Sequence, residues 1–234
     1  MSPIYVPGKV TLAKDYVPVD PDFNNVSLLL HGDGTNGSTT ILDSSPSPKT
    51  VTAVGDAQIS TAQNKFGGAS IAFDGSGDYL TIPSTAAFEF GANDYTIEFW
   101  LKKTLNSLGG FVDLGMNYGG VGIYQNGNFY VRIASSDVFT LPQPQNEWVH
   151  IALSRSGSSL RIFFNGVQQG ATVTNSTNLI NSFGTVAVGA FIFVGTYYPT
   201  PQAYIDDLRI TKGVARYTAN FTPPTAAFPD IESR

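Results

Sequence analysis

A chain of 234 residues, 42% hydrophobic and 12% aromatic, can bury a large core, which excludes a disordered polymer. A net charge of −5, with Lys102-Lys103 as the sole adjacent basic pair, argues against nucleic-acid binding, which needs a basic face to release counterions. The absence of cysteine excludes disulfides, thiolate metal sites and a cysteine nucleophile.

In chain order, residues 1–24 stand apart. Pro3, Pro7, Pro18 and Pro21 interrupt the short apolar runs and leave little room for paired strand. The segment reads as an extended arm, able to reach roughly 75–85 Å, that either straps its own domain or docks on neighbouring subunits. It lacks the basic-then-apolar layout of a signal peptide, and no apolar run nears the ~20 residues of a membrane span. Synthesis in the cytoplasm and no membrane insertion are the expectations.

Residues 25–230 read as one all-β domain. Val26–His31 is the first convincing strand. The turn after it matches G-x-G-x-x-G at Gly32, Gly34 and Gly37, but Ser-Thr-Thr-Ile-Leu-Asp-Ser-Ser-Pro follows and cannot open a helix, so it is a loop. Residues 50–60 suggest a strand pair around Gly55-Asp56. Ser70–Phe73 and Tyr79–Ile82 flank a hairpin-like turn. Within 94–104, Tyr95, Ile97, Phe99 and Leu101 point one way, and Thr96, Glu98, Trp100 and Lys102 the other. Phe111–Leu114, Val121–Gln125 and Phe129–Ala134 form a meander turning at Asn126-Gly127.

The strongest hairpin spans 147–166. Two β-prone runs flank Ser-Gly-Ser-Ser, and neither face of the first is strongly polar, so that strand is central and covered on both sides. Asn165-Gly166 then supplies a type I′ turn into Val167–Val173. Strands over Val186–Val194 and Ala203–Thr211 follow, separated by an aromatic loop, Gly195–Gln202. Tyr217–Pro229 is Pro-punctuated coil. Trp100, Phe163, Phe164, Phe191 and Phe193 are expected in the core. Short strands at regular spacing without helices mean a two-sheet antiparallel sandwich or jelly roll.

Five segments then resemble the concanavalin A-like lectin/glucanase superfamily in its laminin-G-like form. They are Phe73–Pro83, Tyr95–Leu101, Glu147–Arg155, Leu160–Gly166 and Tyr204–Ile210. The ending Lys-Gly-Val-Ala-Arg-Tyr-Thr-Ala-Asn-Phe-Thr-Pro-Pro resembles the version found in bacteriophage tail and other virion proteins. The resemblance implies a jelly-roll sandwich that binds sugar or protein and sometimes hydrolyses glycans. It points to a non-enzymatic virion-surface module for capsid decoration, tail assembly or adhesion. Its partners would be other virion proteins or copies of itself, met through the arm, and it would be made in the host cytoplasm. The alternative is a lectin for cell-surface glycans.

Hydrolysis needs two carboxyl groups across a cleft. The four glutamates (Glu89, Glu98, Glu147, Glu232) do not form the Glu-x-Asp-x-Glu strand of the superfamily's glucanases, and no catalytic residue is assigned. His150 reads as a satisfied core histidine. For sugar stacking, Tyr197-Tyr198 is the best aromatic pair and Asn117-Tyr118 the second, though both also suit a sandwich rim or oligomer contact. Structural Ca²⁺ is the one cofactor considered. Asp33 and Asp43 bracket a polar loop, and the resemblance places the terminal strands, hence Asp206, close by. Adjacent strand residues face opposite ways, so only one of Asp206 and Asp207 can join such a site. The alternative for Asp33 and Asp43 is ordinary Asx-turn capping.

Overall fold

The computed structural model describes residues 19–144 and 147–231. Most of the expected arm lies outside the described residues. In chain order the first strands are β1 (Val26–Leu30), β2 (Thr52–Val54), β3 (Gln58–Ser60), β4 (Ser70–Phe73), β5 (Tyr79–Pro83) and β6 (Tyr95–Lys103). Next come β7 (Gly109–Leu114), β8 (Val121–Asn126), β9 (Asn128–Ile133), β10 (Ser136–Leu141), β11 (Val149–Ser156) and β12 (Ser159–Phe164). The last are β13 (Val167–Gln168), β14 (Val173–Thr174), β15 (Thr185–Val188), β16 (Ala190–Phe193), β17 (Thr196–Pro199) and β18 (Ala203–Lys212). Only two 3₁₀ turns, Phe23–Asn25 and Ala86–Phe88, interrupt this pattern among the described residues.

Two antiparallel sheets stack face to face. One has nine strands in the order β13-β12-β11-β6-β18-β4-β3, with β1 also on β18 and β14 also on β12. The other has seven, β10-β9-β8-β7-β15-β5-β2. The inward residues of β6 (Tyr95, Ile97, Phe99, Leu101) and β11 (Val149, Ile151, Leu153) meet Val112, Leu114, Ile123, Val131, Val186 and Val188 from the facing sheet in one buried core. Alternation thus set the faces as the sequence implies. The β11–β12 hairpin forms as expected, and β11 lies between β12 and β6. Asn165 and Gly166 both take positive φ in the next turn (47° and 75°), and β13 and β14 both return to β12.

Several expectations need correction. The runs at 50–60 and 70–82 are not hairpins, because their strands go to different sheets: β2 pairs with β5, and β3 with β4. Asp78 explains why both corners are sharp. Its buried carboxylate accepts from Asp56 N at 2.6 Å and Asp74 N at 2.8 Å, tying one crossover to the other. The predicted strand 186–194 is two strands. Gly189 (φ 79°) breaks it where any Cβ would collide with the Phe73 ring, so β15 stays in the sheet while β16 leaves it. The aromatic loop 195–202 contains β17, which pairs with β16.

Part of the outer face of the nine-stranded sheet is covered as well. Outward Thr96, Glu98, His150, Arg209 and Thr211 lie beneath residues 213–231, here called the strap, and residues 19–25. Trp100 and Phe163, expected in the main core, are buried on this outer side instead. Phe163 packs under Tyr217 and Phe221, and Trp100 meets Phe66 edge-on. Phe193 is not core at all, being 48% exposed.

Candidate functional site

The two outer faces differ in chemistry. On the nine-stranded sheet Glu98, wholly buried, accepts from Arg209 Nε and Nη2 at 2.9 and 2.7 Å and from Tyr217 Oη at 2.7 Å. Asp20 accepts from Arg209 Nη1 at 2.9 Å and from both Arg216 terminal nitrogens. The Phe228 ring lies 3.7 Å from the Arg209 guanidinium carbon. Burial pushes the Glu98 carboxyl up, but the Arg209 charge, His150 and Tyr217 outweigh it and hold it at about 2. Glu98 is therefore a buried structural anion. His150 Nε2 stands 3.3 Å from Glu98 Oε2 without good alignment, and Nδ1 has no aligned partner among the described residues. His150 is fully buried, as expected, but on the outer side of the sheet under the strap and beside Glu98 rather than in the main core.

The outer face of the seven-stranded sheet carries the β16–β17 hairpin. Strand positions beneath it are stripped of side chains: a Cβ on Gly110 would collide with Phe191 N, and one on Gly109 with Pro199 and Thr200. Close backbone approach is what glycine inside a strand permits. Asp113 then pins the hairpin down. Its buried carboxylate accepts from Ile192 N and Met116 N, both at 2.7 Å. Burial pushes it up to about 6, against the pull of those N–H groups and that of Gly115.

A cleft of about 440 Å³ opens beside this hairpin, lined by Asn117, Tyr118, Arg132, Ser135, Phe193 and Val194. Each polar group is held in place. Arg132 donates to both oxygens of Asp137 (2.7 and 2.8 Å), to Tyr124 Oη and to Asn117 Oδ1. Asn117 Nδ2 donates to Ile192 O at 2.8 Å, and Tyr118 Oη accepts from Gly195 N at 2.9 Å. Rigid, prepaired side chains of this kind preorganise a site and lower the ordering cost of binding.

At the tip, Val194 has φ 49° and is 78% exposed. A β-branched residue in the left-handed region is a true outlier, and such strain gathers at functional sites. Val194-Gly195 occupies a turn where Asn-Gly would be unstrained. Phe193 stands beside it, so the protein keeps two exposed apolar groups at the cleft mouth at a cost in stability.

Of the four predicted sugar residues, Asn117 and Tyr118 line this cleft. Tyr197 and Tyr198 do not. They are half-buried hairpin residues stacked on Tyr79 (centroids 4.5 Å apart) and Phe191 (4.7 Å), where they help hold the hairpin to the sheet. Arg132, Ser135, Phe193 and Val194 were missed. Glycines at 109, 110 and 122, inside strands, were the available signal that something lies on this face.

The three predicted calcium ligands are not gathered. Asp43 is spent inside its own loop, accepting from Leu29 N, Ser45 N, Ser45 Oγ and Lys49 N. Asp206 accepts from Lys65 N and Phe66 N and is pushed up to about 7 by burial and by the charges of Asp207 and Asp33. Asp33 is exposed and lies over Gly67. Among the described residues no three His, Cys, Asp or Glu side chains converge on one point. Asp207 (φ 51°) sits in a bulge and binds His31 Nδ1 at 2.7 Å and Phe228 N at 2.7 Å, which fastens the strap.

The sequence pattern described as the concanavalin A-like lectin/glucanases superfamily matches residues 74–216. No curated protein matches the chain. Among solved structures, the binding domain of Paraclostridial Mosquitocidal Protein 1 superposes with a TM-score of 0.63 at 16% identity, over 82% of this chain and 50% of that one. Botulinum neurotoxin type C, whose cell entry depends on interaction with two ganglioside molecules, gives 0.60 at 17%, over 82% and 49%. The botulinum neurotoxin DC binding domain in complex with SialylT gives 0.60 at 16%, over 82% and 49%. At these identities the likeness is one of fold. The chain spans about half the length of the structures it resembles.

Proposed function

The chain belongs to the concanavalin A-like lectin/glucanase superfamily, and we propose that it acts there as a non-enzymatic saccharide-binding module whose ligand sits in the hairpin cleft. One observation carries this reading: exposed Phe193 and Val194 share a cleft with fixed hydrogen-bonding groups on Asn117, Arg132 and Ser135. Sugars combine C–H faces, which pack on apolar and aromatic surface, with hydroxyls that need oriented donors and acceptors. The ganglioside and SialylT named for proteins of similar fold support the same ligand class. A glycan array with the native chain and with Phe193→Ala tests it. Binding that falls about tenfold, or about 1.4 kcal/mol, in the variant supports the reading. Absence of any bound glycan, or binding indifferent to Phe193, refutes it.

A second reading is the virion-surface or tail-associated module, docked on neighbouring subunits by the segment before Val19. The phage-type ending supports it, as does the anchoring of Asp20 by Arg209 and Arg216, which ties the residues that follow that segment to the sheet. Removing residues 1–18 should leave a folded domain that no longer oligomerises or attaches; unchanged mass in solution would refute it. Removing 19–24 as well would strip the two arginines of Asp20 and confound folding with docking.

A further inference from the structure

We infer a second saccharide-binding cleft, on the nine-stranded sheet at the end that the strap leaves open. A single rung crosses four strands there: Gln58 on β3 faces Ala72 on β4, Ala72 faces Tyr204 on β18, and Tyr204 faces Lys102 on β6. Ala72 is the small member, so the sheet surface dips between Gln58 and Tyr204. The resulting cleft of about 370 Å³ is walled by Asn36, Asp56, Asp74 and Gln202 and lined by no residue of the strap.

The chemistry of the walls selects the ligand. Side-chain amides of Gln58 and Gln202 and carboxylates of Asp56 and Asp74 offer donors and acceptors spaced around a half-buried phenol ring. Paired amide and carboxylate groups match the adjacent hydroxyls of a saccharide, and the Tyr204 ring supplies a face for its C–H groups. Two carboxylates in the walls exclude an acidic sugar and favour a neutral one. Several side chains are already positioned. Asn36 Oδ1 accepts from Thr61 N at 3.0 Å, and Asp74 Oδ1 accepts from Ser76 N at 2.7 Å. The backbone beneath is fixed by Asp78, which binds Asp56 N and Asp74 N from below. By contrast Arg132 dominates the hairpin cleft, so the two clefts differ in charge as well as position.

Amide chemical-shift mapping with lactose, maltose and mannobiose, each at millimolar concentration, tests the inference. The expected result is saturable shifts at residues 56–60, 72–74 and 202–204 with at least one neutral disaccharide. Those shifts should vanish in Tyr204→Ala and weaken in Gln58→Ala, a half-exposed edge-strand change that leaves the core untouched. Shifts confined to residues 117–118, 132–135 and 193–195 would overturn the second cleft while supporting the first. Shifts confined to the second cleft would support it, with the hairpin cleft tested separately by the glycan array. No shift at 56–60 and 202–204 with any of the three sugars, or shifts that persist in both variants, would overturn it.

Discussion

The two sheets of this sandwich treat their outer faces in opposite ways. Beneath the strap of the nine-stranded sheet, polar residues are consumed by partners inside the molecule: Glu98 by Arg209 and Tyr217, Asp20 by Arg209 and Arg216, Asp207 by His31 and Phe228 N. On the seven-stranded sheet, glycines clear a bed for a hairpin that covers only part of the face and keeps Phe193 and Val194 in solvent. Buried charges that are fully paired fix one geometry, whereas strain and exposed apolar surface are retained where a ligand returns the cost. The difference separates the strapped part of the nine-stranded sheet, which closes the fold, from the hairpin-bearing face, which presents chemistry.

The largest effect should come from breaking the closed face. Glu98→Ala leaves Arg209 buried with Asp20 as its remaining acid partner, and a cost of about 3–5 kcal/mol is expected. Chemical denaturation should show it, together with faster proteolysis within residues 213–231. A loss of under about 1 kcal/mol would mean that the network is ornamental. Next in size is Gly110→Val, whose side chain must displace the Phe191 backbone. It should cost about 1–3 kcal/mol and abolish binding in the hairpin cleft while the strap stays protected. Equal loosening of both faces would show that they are not independent.

Titration sharpens the comparison. Burial raises Asp206 to about 7 and Asp113 to about 6, and Asp207 raises His31 against the opposing effect of burial. Each group binds its proton more tightly in the folded state, so stability falls as pH rises through these values. Glu98, held at about 2, acts oppositely: its contribution is present above the unfolded carboxyl range and is lost progressively as pH falls from that range through its own folded value. The melting temperature should therefore be higher at about pH 5 than at about pH 8, and drop again as pH falls below the unfolded carboxyl range. Asp206→Asn should flatten the neutral part of that profile. The smallest expected effect is Val194→Gly, which relieves left-handed strain and should stabilise by about 1 kcal/mol while weakening saccharide binding. Unchanged affinity would remove Val194 from the site.

The sandwich was legible because its central strands alternate strictly. Tyr95 to Leu101 and Val149 to Leu153 carry the core pattern in the sequence itself. Asn165-Gly166 announced its turn for the same reason. The β9–β10 turn did not, since Ala134 and Ser135 take positive φ (45° and 70°) without a glycine to signal it. Local sequence also cannot say which sheet a strand joins, so the crossovers at Gly55-Asp56 and Asp74–Asp78 read as hairpins. The cleft was half legible. Asn117-Tyr118 stood out as an aromatic-amide pair before glycines. Arg132 and Phe193 come from strands that meet only when Gly189 releases β16 from the sheet, and Tyr197-Tyr198 looked free because their stacking partners, Tyr79 and Phe191, reach them only through folding.

Hydrogen exchange on the unliganded protein tests the contrast between the faces most directly. The strap amides of Arg216, Phe221 and Phe228, bonded to Thr96, Gly166 and Asp207, should exchange only through global unfolding. The hairpin amides of Ile192, Gly195 and Thr196 should exchange through a local opening that leaves the sandwich intact. A hairpin as slow as the strap, or a strap that opens first, would contradict the contrast between a closed, strapped region and a presenting hairpin.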